Sequence, residues 1–441
     1  MDSSDALIAR FLALHPKSID LSLERIERLL AALGRPERRL PPTIHVAGTN
    51  GKGSTIAFMR AILESAGHAV HVYTSPHLVR FHERIRLGRI GGGRFVEEDR
   101  LVQALRRCDA VNGSAPITMF EITTAAALLL FSEEPADVLL LEVGLGGRLD
   151  ATNVIDAPAA AVVTAVGRDH ADYLGDTIAA VASEKAGIFK PGCPAVIAPQ
   201  DYRDADAVLR ERAEAAGARP LLVGNQDFSV HEERGRLVYQ DEEGLLDLPR
   251  PRLAGRHQVA NAGTAIAALR AAGLGDLEPG AYEAGMAKVE WPGRLQRLTR
   301  GRLPGLAPPG SELWLDGGHN PDGGRVLAAA MADLEERSAA PLVLVVGMLG
   351  TKDADGFLRN FAGLAREAVA VPITGQIAAR PAEEVARLAH EVGLRSSTAP
   401  GVEAALAGLA DTIWERAPRV LICGSLYLAG EVLALNGTPP T

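Results

Sequence analysis

The sequence predicts an α/β protein of two domains, each organised around a parallel sheet. Three observations carry that reading. The first is a strand, a glycine loop and a helix in succession: residues 43–46 read as a short buried strand, Gly48, Gly51 and Gly53 allow a tight loop, and residues 54–66 place Ile56, Met59, Ile62 and Leu63 at helical spacing before Gly67. The second is a pair of largely apolar runs, at 138–141 and 159–166, which read as central buried strands and end in polar groups. The third is a proline- and glycine-rich stretch, Gly301–Gly310, after which strands and helices alternate again.

In the glycine loop, backbone N–H groups at a helix start form an anion nest and Lys52 adds positive charge, so the stretch reads as a polyphosphate-binding loop. It departs from the general G-x-x-x-x-G-K-[ST] pattern: Val46 stands in place of the first glycine, and Gly53 follows the lysine, moving the hydroxyls to Ser54 and Thr55. A glycine-rich turn that binds nothing is the alternative.

With 441 residues, 47% of them hydrophobic and 23% charged, the chain has the length for two or three domains and ample core. A net charge of −9 argues against a general polyanion surface, so an anionic substrate must meet local cations. The acidic start Met1-Asp-Ser-Ser-Asp and apolar runs as short as Ala125–Phe131 predict a cytoplasmic protein without a membrane span. Cys108, Cys193 and Cys423 are widely separated, which suggests small core or surface residues and neither a disulfide framework nor a zinc site.

In chain order, residues 5–33 carry a helical stripe (Leu23, Ile26, Leu29, Leu30, Leu33) with Asp20 and Ser22 as candidate caps. A second strand over 68–74 ends in Ser75-Pro76-His77, where Pro76 disfavours helix. Gly88–Gly93 suggests a hairpin or loop, followed by helices over 97–108 and 121–131. Glu142 ends the apolar run of the next strand; it reads as a salt-bridged strand end or as a Mg2+ ligand in the crevice where ligands gather at the carboxyl ends of strands. Arg168, Asp169 and His170 end the following strand, and His170 alone reads as a hydrogen-bonded surface residue or a metal ligand. Lys185, on a helix over 178–189, falls by local pattern on a solvated face. Hairpin character follows over 228–248, and His257–Asn261 opens an alanine-rich helix. The boundary is expected just after Trp291-Pro-Gly-Arg294, giving domains 1–298 and 299–441, the second with strands at 312–315, 342–346, 368–371 and 420–422 and with Asp316-Gly-Gly-His319 at the end of its first strand.

HPKSIDLSLER (15–25), GTNGKGS (48–54), TSPHL (74–78), FEITT (120–124), LEVGLGGRLDATN (141–153), the histidine of GRDH (167–170), SEKAGIFK (183–190), HQVAN (257–261), WPGR (291–294), DGGHNP (316–321) and CGSLYLAGE (423–431) occur in that order. In this set the chain resembles the folylpolyglutamate synthase/dihydrofolate synthase family of the Mur ligase superfamily, from His15 to near the C-terminus. The resemblance implies a P-loop NTPase-like parallel-sheet N-terminal domain and a smaller Rossmann-like C-terminal domain. It also implies that Thr49, Asn50, Gly51, Lys52, Gly53 and Ser54 cradle ATP, and that Ser54, Ser75, Glu142 and His170 hold Mg2+. Lys185 matches a lysine carbamoylated in the family, which helps hold a second Mg2+. Asn261, Arg294 and Asp316 match nucleotide contacts, Arg294 near the phosphates and Asp316 at the ribose, and His319 lies in the interdomain catalytic motif. Ile19, Asp20, Leu21, Thr118, Met119, Phe120, Glu121, Leu149, Asp150 and Ala151 correspond to the pterin side. The chain departs from the pattern at Gly318, where many members carry alanine, and in a longer stretch between Arg302 and Gly310.

The implied reaction adds L-glutamate to dihydropteroate and to reduced folates with ATP cleavage, in a monomer that binds neither nucleic acid nor membrane. Chain extension of folates alone is the nearest alternative. A muramyl-peptide ligase fits these segments less well, and a nucleotide sensor without catalysis would have no need of Lys52, Glu142, His170 and Lys185 together.

Overall fold

The computed structural model describes residues 3–14 and 20–441. Ile19 and most of the His15–Leu21 segment therefore lie outside the described residues.

The N-terminal sheet comprises β1 (Thr43–Ala47), β2 (Val70–Tyr73), β3 (Ile85–Leu87), β4 (Arg94–Phe95), β5 (Val138–Glu142), β6 (Ala160–Val163), β7 (Ala195–Ile197) and β8 (Leu221–Val223), in the order β4-β3-β2-β5-β1-β6-β7-β8. From β2 to β8 every pairing is parallel; β3 and β4 form the antiparallel hairpin expected around Gly88–Gly93. Alternation explains why β5 is apolar up to Glu142: Val138 and Leu140 enter the core on one face, with Ile56, Met59 and Ile62, while Leu139 and Leu141 enter the core on the other, with Ile122 and Leu129. Register pairs Val46 with Glu142, so the glycine loop after β1 and the carboxylate that ends β5 emerge at the same sheet edge.

The hairpin stretch is a three-stranded antiparallel sheet, β9 (Ser229–Glu233), β10 (Arg236–Asp241) and β11 (Gly244–Pro249). The C-terminal sheet contains β12 (Gln296–Leu298), β13 (Glu312–Leu315), β14 (Leu342–Val346), β15 (Ala365–Ala370), β16 (Arg395–Thr398) and β17 (Arg419–Cys423), in the order β12-β13-β17-β14-β15-β16. All its pairings are parallel except β12 with β13. Because β12 belongs here, the second sheet reaches back across the expected 298/299 division, and we propose the boundary just before Gln296.

Other expectations shift in detail. The helix Glu24–Ala32 starts after Leu23 with no side-chain cap; Asp20 instead pairs with Arg25, and Ser22 does not cap. The helix expected over 178–189 ends at Ala186 with Gly187 as its cap, while those expected over 97–108 and 121–131 run Glu98–Asn112 and Met119–Glu133. The Gly301–Gly310 stretch is not a free hinge: Leu303 and Ala307 are buried in the C-terminal core, and Leu303 N–H donates to Asn436 Oδ1 at 2.9 Å. No helix among the described residues is long and apolar enough to cross a membrane.

Candidate active site

The glycine loop is shaped by close approach. Gly48 has φ +150°, and a Cβ there would lie 1.8 Å from Thr164 Oγ1; Gly51 has φ +93°, and a Cβ there would lie 2.5 Å from Asn261 Oδ1. The following helix, Lys52–Ser65, opens on Gly51 with no side-chain cap, so its first-turn N–H groups lack intrahelical partners, the condition of an anion site. Thr49 and Asn50 serve differently from the rest of the loop. Both their N–H groups donate to the Ala165 carbonyl, at 2.9 and 3.1 Å, and Thr49 Oγ1 donates to Gly167 O at 3.1 Å, so they brace the loop against the strand beside it. Asn261 and Ser54 are linked through Gln258: Asn261 Nδ2 donates to Gln258 Oε1 at 3.0 Å, and Gln258 Nε2 reaches Ser54 Oγ at 3.4 Å.

Two lysines converge on one carbonyl. Lys52 Nζ donates to Gly48 O at 3.1 Å and Lys185 Nζ donates to the same oxygen at 3.0 Å. The solvated face expected for Lys185 is corrected here: the residue is 4% exposed. Burial first, and then the Lys52 charge, push its pKa down to about 7. An amine with that property is substantially neutral near physiological pH and able to attack CO2, which fits the carbamate implied by the resemblance.

Glu142 is buried at the end of β5, and its Oε2 accepts the Ser75 N–H at 3.1 Å. Burial raises its pKa, against the pull of Lys52, the Ser75 N–H and Arg294. His170 occupies a left-handed backbone conformation, φ +54°, uncommon for a residue with a side chain and concentrated at functional sites. Burial brings its pKa to about 4 despite Asp169, so the ring is neutral, the form that ligates metals. The described residues contain no cluster of three His, Cys, Asp or Glu forming a ready metal cage. Mg2+ characteristically takes one or two protein carboxylates and fills its shell with phosphates and water, so a buried carboxylate, hydroxyls and a neutral imidazole beside a phosphate loop fit it.

The second sheet supplies the opposite wall. Arg294 contributes to the field at both Glu142 and Asp316, and its Nη1 donates to Gly293 O at 3.1 Å. Asp316, 5% exposed, accepts the N–H groups of Leu295 at 2.7 Å and Gly318 at 2.6 Å, fastening the segment that crosses between domains to the end of β13. His319 holds Gly317 O through Nδ1 at 2.8 Å and reaches Asp169 Oδ2 through Nε2 at 3.3 Å. At Gly318, alanine would place its Cβ 2.8 Å from Leu327, a contact glycine avoids.

On the expected pterin side, Phe120 is half-buried against Gly144, where a Cβ would lie 2.4 Å from its ring, so the Thr118–Glu121 turn borders the strand end that carries Glu142. Met119 and Leu149 are partly exposed nearby in sequence, while Ala151 is buried. Two carboxylates expected there are already engaged. Glu121 accepts the Thr118 N–H at 2.8 Å as a capping box and is paired with Arg25 at 2.9 Å, with Asp20 completing that cluster next to Leu21. Asp150 accepts the N–H groups of Leu145 at 2.8 Å and Thr152 at 3.0 Å, stiffening the loop after β5.

Gln258, Trp291, Asn320 and Lys352 gain their roles only in the folded chain. Trp291 lies so close to Gly53 that a Cβ there would fall 2.7 Å from the indole, and Lys352 reaches Asp169 across the domain boundary at 2.5 Å. Of these, Gln258, Trp291 and Asn320 stand inside quoted motifs; Lys352 carries no local signal.

A helix start left open to an anion, with basic groups near it from a second, mostly parallel sheet, fits a nucleotide-using enzyme, and the class is that of the Mur ligases. The family described as Mur ligase middle domain matches residues 46–269, and that described as Dihydrofolate synthetase, C-terminal domain, matches residues 306–435. The chain is 35% identical over 421 residues to the dihydrofolate synthase/folylpolyglutamate synthase of Escherichia coli, covering 95% of this chain and 92% of that one. It is similar to an E. coli structure in complex with DHPP and ADP (TM-score 0.87, 32% identity, 98% and 97% coverage) and to a Yersinia pestis bifunctional folylpolyglutamate synthase/dihydrofolate synthase complexed with AMPPNP and Mn ion (TM-score 0.85, 32% identity, 98% of both chains). The chain belongs to the dihydrofolate synthase/folylpolyglutamate synthase family of ATP-dependent ligases.

Proposed function

We propose that this chain joins L-glutamate to dihydropteroate, making dihydrofolate, and extends tetrahydrofolates with further glutamates, cleaving ATP to ADP and phosphate. The observation that supports the reading is the register of β1 with β5, which brings the uncapped helix start with Lys52 and the buried Glu142 to the same end of the sheet, with Lys52 and Arg294 both acting on that carboxylate.

A carboxylate does not condense with an amine at neutral pH, because its oxygen is a poor leaving group; transfer of the γ-phosphoryl of ATP to that oxygen makes an acyl phosphate, which glutamate's amine then attacks. Lys52, Arg294 and the free N–H groups of Gly51, Lys52, Gly53 and Ser54 offset the opposed negative charges of carboxylate and phosphate, and later that of the tetrahedral intermediate. Ser54, Ser75, Glu142 and His170 would hold Mg2+, which when bound neutralises phosphate charge. Asn261 supports the loop, while Asp316 keeps Arg294 and Leu295 against the second sheet, beside the place a ribose would occupy. Asp20, Leu21, the Thr118–Glu121 turn and Leu149–Ala151 border the pterin, with Glu121 and Asp150 acting as braces. His319, at the domain junction, closes over the reacting atoms and helps exclude water from the acyl phosphate. The enzyme works as a cytoplasmic monomer.

The direct test incubates the chain with dihydropteroate, L-glutamate and Mg-ATP and follows dihydrofolate and ADP; a parallel reaction uses tetrahydrofolate. Product in the second reaction alone would leave chain extension as the sole activity. ADP release that depends on neither acceptor would overturn the ligase assignment.

A further inference from the structure

We propose that Asp169 is a positioning residue for the ligation: its carboxylate is the socket into which the C-terminal domain seats three of its groups. Asp169 lies on the loop after β6, in the N-terminal sheet. Its Oδ1 receives Lys352 Nζ at 2.5 Å, and its Oδ2 faces both His319 Nε2 and Asn320 Nδ2 at 3.3 Å. His319 and Asn320 come from the loop after β13, and Lys352 from the loop after β14, so two separate loops of one sheet meet a single carboxylate of the other. The side chains of Asp169 and Lys352 are 11% and 9% exposed. The side-chain contacts of Lys352 are with Asp169 and His170, both on the opposite domain. A second tie runs parallel: Asn320 and Asn50, of the glycine loop, exchange hydrogen bonds at 3.2 and 3.3 Å.

A long cation held away from water and aimed at one carboxylate 183 positions away fixes the relative placement of the two walls more sharply than exposed contacts would. Ligation requires carboxyl, γ-phosphoryl and amine to be aligned between those walls, and a misplacement of about 1 Å can cost about 100-fold in rate. Among the described residues Asp169 bonds to His319, Asn320 and Lys352 of the C-terminal domain and to no N–H group of the glycine loop, so its influence is expected on alignment more than on nucleotide capture.

This inference rests on the ligase reading, and the test separates the two. Asp169→Asn, Asp169→Glu, Lys352→Met and the double variant Asp169→Asn/Lys352→Met are assayed for kcat, for KM of ATP and glutamate, for ADP affinity by calorimetry and for Tm. The expected result is a loss of about 10- to 100-fold in kcat for Asp169→Asn with ADP affinity near the parent, and a lowered Tm because Lys352 is left without its carboxylate. Partial recovery is expected in Asp169→Glu, and a double variant little worse than the poorer single variant. Parent-like kcat in Asp169→Asn, strictly multiplicative losses in the double variant, or a fall in ADP affinity as large as the fall in kcat would each overturn the positioning role while leaving the ligase reading standing. Absence of acceptor-dependent ADP release by the parent chain would remove both.

Discussion

Lys185 and Gly48, 137 positions apart, are joined by a hydrogen bond from the lysine ammonium to the loop carbonyl at 3.0 Å. The lysine thereby sits behind the phosphate loop, where burial and Lys52 depress its pKa to about 7. Since the folded value lies below the ordinary 10.5, the unfolded chain binds the additional proton between about pH 7 and 10.5, and stability rises with pH across that window. In CO2-depleted buffer, Lys185→Met is expected to melt above the parent at pH 7, with the difference shrinking toward pH 10; a difference that grows instead would contradict the burial argument. Lys185→Ala should lose turnover and regain part of it with added short carboxylates, since the carbamate acts as one. Parent-like turnover in that variant would remove the carbamate.

Lys52→Ala should abolish acceptor-dependent ADP release, with kcat down by about 100-fold or more, while the melting curve stays close to the parent. The side chain is only partly buried and its carbonyl partners belong to its own loop, so little packing is lost. Retained turnover would contradict the phosphate assignment.

Gly51→Ala combines a backbone at φ +93° with a Cβ 2.5 Å from Asn261 Oδ1. A cost of about 1–3 kcal/mol is expected, together with weakened ADP binding as the loop shifts. Gly34→Ala, also at positive φ but with nothing within 4 Å, is the control: it should lose stability without losing ADP affinity. Equal ADP affinities in the two variants would show that the Asn261 contact is unimportant to the loop.

Arg25 and Glu121 give a way to divide bracing from substrate contact. Glu121 is 4% exposed and Arg25 16%, so Arg25→Met leaves a carboxylate buried without its cation, at a cost of about 3 kcal/mol in denaturant unfolding. If Glu121 instead served chiefly as a pterin ligand, Arg25→Met would raise the pterin KM with little change in stability.

The features legible in the sequence were those whose cause is local. A strand covered on both faces must be apolar throughout, which marked β5 and β14, and a loop that turns within a few residues must be glycine-rich, which marked Gly48–Gly53. What escaped depends on distant partners. Lys185 looks like a surface lysine until β1 and its loop cover it, and nothing near Lys352 announces Asp169. β16 has no such mark because Arg395–Thr398 is a polar edge strand without an apolar run, and β12 has none because its three residues acquire meaning only beside β13. Glu121 and Asp150 stand inside the quoted motifs, but the commitment of their oxygens to N–H groups and Arg25 depends on how the chain folds around them.

The strand β12 leaves the domains interlocked by their own covalent connection. Trp291 presses on Gly53, Gly293 O accepts the Gly317 N–H at 2.9 Å, and Gln296 already pairs with Leu315, so within six residues the polypeptide passes from touching the nucleotide loop to being woven into the other sheet. A backbone nick between Leu298 and Gly310 would therefore leave the larger fragment carrying an edge strand that its counterpart lacks, and the two pieces would have reason to reassemble as a split enzyme instead of drifting apart.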